Sequence, residues 1–350
     1  IRPGETRGYL AAQGAFALPR GYQLAFSGRA VSDRGYLRDY GISGDDRLDS
    51  RVAVTRTRAG EYISGRLIHF NSIREGDVNA LLPSLVGDIE WVRRFRPGLV
   101  GGTASLTFET HAQHRASTRA ADLNGDGIGD GRDLARATVR ANWRRDALFG
   151  PGLLATALFD LNADIYDIRQ DAAFEGTRTR LTGAAGVELR WPLTRATGGG
   201  ATQVLEPVVQ VVWASDDDDD IPKQDSALPE FDEGNLFALD RLPGPDAFEG
   251  GPRATVGLSL THFAPAGWSA GMTVGRVFRT EDPGSFSRAS GLGGSRSDWL
   301  ATLRLDTGAG LSLTNRLVFD DSFGVTKGEV RLGLERARYG LASSYIWVQA

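Results

Sequence analysis

Along most of the chain, apolar and polar residues alternate with a period of two, in segments of roughly ten to fourteen residues. Tyr22, Leu24 and Phe26 oppose Gln23, Ser27 and Arg29. Ala104, Leu106 and Phe108 oppose Thr103, Ser105, Thr107, Glu109 and His111. The clearest case places Ala155, Ala157, Phe159, Leu161, Ala163 and Ile165 against Thr156, Asp160, Asn162 and Asp164. A strand turns successive side chains to opposite faces, so each segment predicts a strand with one apolar and one polar side. About sixteen such strands follow one another from Tyr9 to Val348, joined by connections that are short, then long, then short. Tyr166 and Trp191, near strand ends, are expected at a membrane interface.

The two faces need two solvents. Three acidic or amide side chains at Asp160, Asn162 and Asp164 could not all enter a dry core without partners. The strands also exceed the length of about five or six residues usual in soluble sheets. No apolar run reaches the roughly eighteen residues of a membrane helix, so a membrane location would require a closed barrel. The expectation is therefore an all-β protein, an antiparallel transmembrane β-barrel, with residues 1–350 forming one domain and no boundary interrupting the strands. A soluble β-sandwich, which also alternates, is the competing architecture.

Composition agrees with twisted sheet and tight turns: 45 glycines, seven Trp, sixteen Phe and eight Tyr among 350 residues. A net charge of −4 without a basic cluster argues against nucleic acid as a partner. Absence of cysteine excludes disulfides and thiolate metal sites. The chain opens at Ile1 without a charged-then-apolar leader, so a signal peptide is expected to have been removed or to lie outside it.

Three features invite a reading as chemistry. Asp122, Asn124, Asp126, Asp130 and Asp133 place oxygen ligands at positions one, three, five, nine and twelve of a loop, with Gly127 at six and the Ile128 carbonyl at seven. That spacing suits calcium, although position twelve is Asp rather than Glu and no flanking helices are expected. A solvated turn-rich loop explains the same residues, and both readings stand. The run Asp216 to Asp220 is read as a solvated like-charge segment in preference to a cation site. His111 and His114, three apart on a strand, face opposite sides and do not make a zinc pair. No G-x-S-x-G elbow or P-loop occurs, so no catalytic residue is assigned and no cofactor is required.

The most specific stretch runs from Val204 to Asp246. Leu205, Val209, Val211 and Trp213 face one way and Glu206 and Gln210 the other, and a long acidic loop, residues 215–251, follows. Leu205-Glu206-Pro207, Ile221-Pro222, Asp225-Ser226, Leu236-Phe237 and Asp240-Arg241, with Gly244 and Asp246 after them, come in the order found in the LptD family of outer-membrane lipopolysaccharide-assembly proteins. Val31-Ser32-Asp33 with Tyr36, Asp39 and Tyr40 is a second echo. The chain thus resembles a portion of that family's barrel.

The resemblance implies a barrel of about twenty-six strands in the Gram-negative outer membrane, of which this chain would supply an internal part. It implies lipopolysaccharide as substrate, delivered without enzymatic chemistry from a periplasmic bridge of Lpt proteins and released into the outer leaflet. It also implies an LptE-like plug lipoprotein as partner. A porin or substrate-gated transporter is the alternative function, and a barrel-embedded hydrolase a more distant one. Arg190 and Arg304 fall on the polar face, where phosphates would favour the guanidinium fork.

Overall fold

The computed structural model describes residues 6–216, 221–223 and 229–349. It contains seventeen strands: β1 (Tyr9–Leu18), β2 (Tyr22–Val31), β3 (Arg47–Arg58), β4 (Glu61–Ser72), β5 (Leu85–Phe95), β6 (Thr103–His114), β7 (Asp133–Phe149), β8 (Leu153–Arg169) and β9 (Gly176–Arg190). These are followed by β10 (Leu193–Ala196), β11 (Thr202–Ala214), β12 (Arg253–Phe263), β13 (Ser269–Arg279), β14 (Trp299–Asp306), β15 (Leu311–Phe319), β16 (Val325–Arg336) and β17 (Tyr339–Val348). One α-helical turn, Tyr36–Asp39, lies between β2 and β3. No helix among the described residues is long and apolar enough to cross a membrane.

The chain divides into two compact units, Ile1–Asn142 with Leu161–Leu181, and Trp143–Asp160 with Thr182–Ala350. In the first, β1 to β6 pair consecutively and antiparallel. In the second, β9 pairs with β11, and β11 to β17 continue as an antiparallel series. Hairpin turns explain the short connections. Between Arg58 and Glu61, which are partners across β3 and β4, only Ala59 and Gly60 remain, and Gly60 takes φ +76°, a left-handed conformation that suits the twist of the flanking strands.

The seventeenth strand is a continuation. Sixteen strands match the alternating segments, and β10 prolongs β9 beyond Trp191-Pro192. The register against β11 is continuous across the gap, with Arg190 opposite Val208 and Leu193 opposite Leu205. Pro192 and Pro207 meet the gap from the two sides, and neither has an N–H to give to the ladder. Trp191 N still donates to the Pro207 carbonyl at 3.1 Å, which holds the strands together through the interruption.

Burial is inverted relative to a soluble sheet. On β11, Leu205, Val209, Val211 and Trp213 are exposed, while Val208, Gln210 and Val212 are buried. On the part of β8 in the first unit, Leu161 and Ile165 are exposed, whereas Asn162 and Asp164 are buried. Exposed apolar faces opposite buried polar ones are what strands facing lipid require.

Tyr166 corrects an expectation. It is 1% exposed and shares the polar face with Asp164, two residues away, instead of standing at an interface. Arg180 donates to its hydroxyl at 3.4 Å and lies over its ring at 5.9 Å. Trp191, by contrast, is 40% exposed.

Each unit also has apolar clusters involving its long connections. In the first, Leu37, Leu48 and Ile73 pack with Tyr9, Val31 and Tyr36. In the second, loop residues Phe231, Leu236, Leu242 and Ala247 join Val277, Leu300 and Val318 from the strands. Ala184, Val212, Ala214 and Phe248 form a separate group with Leu239.

Candidate functional site

The connection between β11 and β12 is built onto the polar face of the second unit. Its anchors are Leu236 and Phe237, and the sheet makes room for them with glycine. Gly257 of β12 and Gly275 of β13 are direct partners. A Cβ at Gly275 would collide with Leu236 Cδ2, and one at Gly257 would lie 2.7 Å from Phe237 Cζ. The paired glycines are thus a slot for the loop, the use of strand glycine where another segment approaches closely. Gln210, wholly buried on β11, fixes the backbone there: its amide donates to the Phe237 carbonyl at 2.8 Å and to Glu188 at 3.1 Å.

Behind this anchor lies a buried ionic centre. Glu249, with no solvent exposure, accepts from Arg241 at 2.7 Å through one oxygen. Through the other it accepts from Arg279 at 2.8 and 2.9 Å. Arg241 also donates to the Leu236 carbonyl at 2.6 Å and to Thr255 at 3.1 Å. Arg253 donates to the carbonyls of Glu249 and Leu239. Arg279 donates to the Leu292 carbonyl at 2.9 Å, which ties in the β13–β14 connection as well.

Burial alone would favour a neutral Glu249, but Arg241, Arg253 and Arg279 outweigh it and hold the carboxyl below its usual range. Asp240 goes the other way. Burial, reinforced by the Glu249 charge and opposed by backbone N–H donors from Leu242 and Glu249, pushes it up to about 7. An excess of arginine around one carboxylate is stable only while that carboxylate is present.

Earlier in the loop, Glu233 reaches the strands. Arg316 of β15 donates to both its oxygens, at 2.8 and 3.0 Å. Thr302 of β14 donates to it at 3.1 Å, and Arg304 donates as well. Arg316 also donates to Glu329 of β16 at 2.5 Å.

The signature residues divide accordingly. Leu205 lies on the exposed apolar face, and Glu206 accepts from Arg190 at 3.3 Å. Pro207 marks the β9–β10 interruption. Ile221 and Pro222 are buried. Leu236, Phe237, Asp240 and Arg241 come together at the glycine slot and the ionic centre, and Gly244 and Asp246 are buried. Asp225, Ser226 and residues 217–220 lie outside the described residues.

Sequence reasoning missed Glu249, Arg253, Arg279 and Glu233, whose roles depend on contacts between distant strands. Gly257 and Gly275 carried a signal, because each replaces a side chain within an alternating strand.

In the first unit the polar face is cross-linked more simply. Asp164 accepts from Arg180 at 2.9 and 3.0 Å and from Thr138 at 2.6 Å, all three side chains being buried. Arg132 pairs with Asp171, also buried.

The loop 122–133 is organised by its own carboxylates and amide. Asp122 accepts from Gly125 N and Gly127 N at 2.7 and 2.8 Å, Asn124 from Asp126 N, and Asp126 from Ile128 N. Asp130 is buried, and Asp133 begins β7, where it accepts from Arg115 N and contacts His114 Nδ1, both at 2.7 Å. No three carboxylates or imidazoles among the described residues are grouped to hold a metal ion.

An antiparallel sheet with exposed apolar and buried polar faces, and an ordered loop seated on the polar side, is the architecture of an outer-membrane β-barrel protein. The family model for LptD, LPS transport system D, matches residues 5–350, and the chain belongs to that family. It is a component of lipopolysaccharide transport and assembly at the outer membrane, and its strands belong to a transmembrane β-barrel. No curated protein matches the chain.

Proposed function

We propose that this chain supplies part of the wall along which lipopolysaccharide crosses the outer membrane into the outer leaflet, without enzymatic chemistry. The observation that carries this reading is the division of the strands: Leu205, Val209, Val211 and Trp213 are exposed on one side of β11, while Gln210 on the other binds the docked loop. The apolar side suits acyl chains of the bilayer. The charged side suits the sugars and phosphates of a head group, for which arginine is the preferred partner.

In this reading the strands span the membrane repeatedly and the β11–β12 loop shapes the polar passage. A periplasmic bridge of Lpt proteins delivers the substrate, and an LptE-like lipoprotein fills the remaining lumen, both as the family implies. In this reading transport requires no cofactor, and calcium bound by the loop 122–133 would serve only to stiffen that loop. Depleting the full-length protein and labelling surface lipopolysaccharide tests the proposal. Surface delivery is expected to fall, and unchanged delivery would contradict it.

A further inference from the structure

On the polar face around Glu233 the strands present more positive than negative charge. Arg304 of β14, Arg316 of β15, and Lys327 and Arg331 of β16 are joined there by Glu329 alone among the sheet carboxylates that contact them. The rest of the balancing charge comes from the loop. Glu233 binds Arg316 and Arg304, Asp232 lies 4.0 Å from Arg316, and Glu230 lies 3.7 Å from Lys327. We propose that these cations form a phosphate-binding ladder for the glycolipid head group, and that Glu233 is a built-in competitor that keeps the ladder from holding its cargo too tightly. This inference rests on the reading that lipopolysaccharide passes along the polar face.

Three observations support it. The contact between Glu233 and Arg316 is two-pronged, with Nε and Nη2 each donating to a separate oxygen, the geometry by which a guanidinium also takes a phosphate. Glu233 is held in place by its neighbours: Asp232 accepts from Gly234 N and Asn235 N at 2.8 and 3.0 Å, and Phe231 and Leu236 are fully buried on either side. The competitor therefore stays at the ladder. Finally, the ladder is not closed off, because the Arg304 and Arg331 side chains remain 60% and 62% exposed while paired. A transported anion can meet these two first and share Arg316 with Glu233. A conduit needs binding favourable enough to enter and weak enough to leave, and an internal carboxylate lowers affinity without removing the cations.

The test uses the full-length protein in its native membrane complex, with a photoreactive residue at Thr314. This position lies opposite Arg304 on one neighbouring strand and Arg331 on the other. A second photoreactive position, Glu109 of β6, reports the polar face of the first unit. Glu233→Gln is expected to raise the lipopolysaccharide adduct at Thr314 about five-fold, the lower end of usual coupling effects, and to leave the adduct at Glu109 unchanged. Lipopolysaccharide stripped of its lipid A phosphates is expected to show no rise. An equal yield in wild type and Glu233→Gln, or an equal rise with the dephosphorylated lipid, would overturn the competitor role while leaving the polar-face path intact. No adduct at either position in any variant would overturn the path itself. If Glu233→Gln does not assemble, judged by heat-modifiable migration, Glu233→Asp replaces it: the shorter side chain keeps the charge but gives up the two-pronged contact with Arg316, and it must raise the Thr314 adduct for the inference to stand.

Discussion

The connections 122–133 and 215–251 are both acidic, yet they are held by opposite means. In the first, carboxylates and an amide accept from the loop's own backbone, and residues 121–127 are exposed. In the second, Phe231, Leu236, Leu242 and Phe248 are buried, and the charged groups reach across to strands. Acidity therefore says little about what a loop does. The apolar residues interspersed with it decide, because they allow the loop to bury surface against the sheet and bring its charges with them.

The sharpest way to break this contrast is to remove the buried carboxylate. Glu249→Ala leaves Arg241, Arg253 and Arg279 without their shared counter-charge and is expected to cost about 3–5 kcal/mol, read as a lower unfolding temperature of the barrel in detergent. Asp122→Ala, in the self-contained loop, is expected to stay within about 1 kcal/mol in the same measurement. Equal effects would erase the distinction.

Leu236→Ala comes next, at about 2–5 kcal/mol for a fully buried leucine whose slot cannot collapse against two paired glycines. Gly275→Ala attacks the slot from the other side. Its Cβ meets Leu236 and also the Val256 carbonyl at 2.9 Å, so a loss of about 1–3 kcal/mol is expected. If Gly275→Ala melts like wild type, the loop is not seated there.

A separate effect is expected with pH. Asp240 titrates near 7 when folded and near its ordinary value of 3.8 when unfolded, so its contribution is fully present below about pH 4 and is lost as pH rises through about 7. Asp240→Asn keeps an oxygen acceptor for Leu242 N and Glu249 N but cannot ionise. It should flatten the fall in stability between these pH values, and an unchanged slope would remove Asp240 from the account. The smallest effect concerns calcium. Chelator is expected to leave the melting transition unchanged, because Asp133 is engaged by Arg115 and His114, whereas a clear drop would place a cation in the loop 122–133.

Much of the fold was legible because the two-residue period is local. The faces of β8 and β11 follow from it directly, and the position of Tyr166 would have followed too had the period been carried two residues beyond Asp164. The order of Leu205-Glu206-Pro207, Leu236-Phe237 and Asp240-Arg241 identified the loop, but not what these residues do. Pro207 gains meaning only from Pro192 in the gap between β9 and β10. Leu236 gains it only from Gly257 and Gly275, and Arg241 only from Glu249 together with Arg279. Such partnerships depend on strand register, which no local pattern states.

The central claim is that residues 229–251 of the β11–β12 loop are an ordered part of the polar face. Amide hydrogen exchange of the assembled full-length protein tests it most directly, by comparing residues 236–249 with residues 121–127. The account predicts slow exchange in the first segment, where Leu242 N and Glu249 N donate to Asp240, and rapid exchange in the exposed second. Exchange equally fast in both would contradict it.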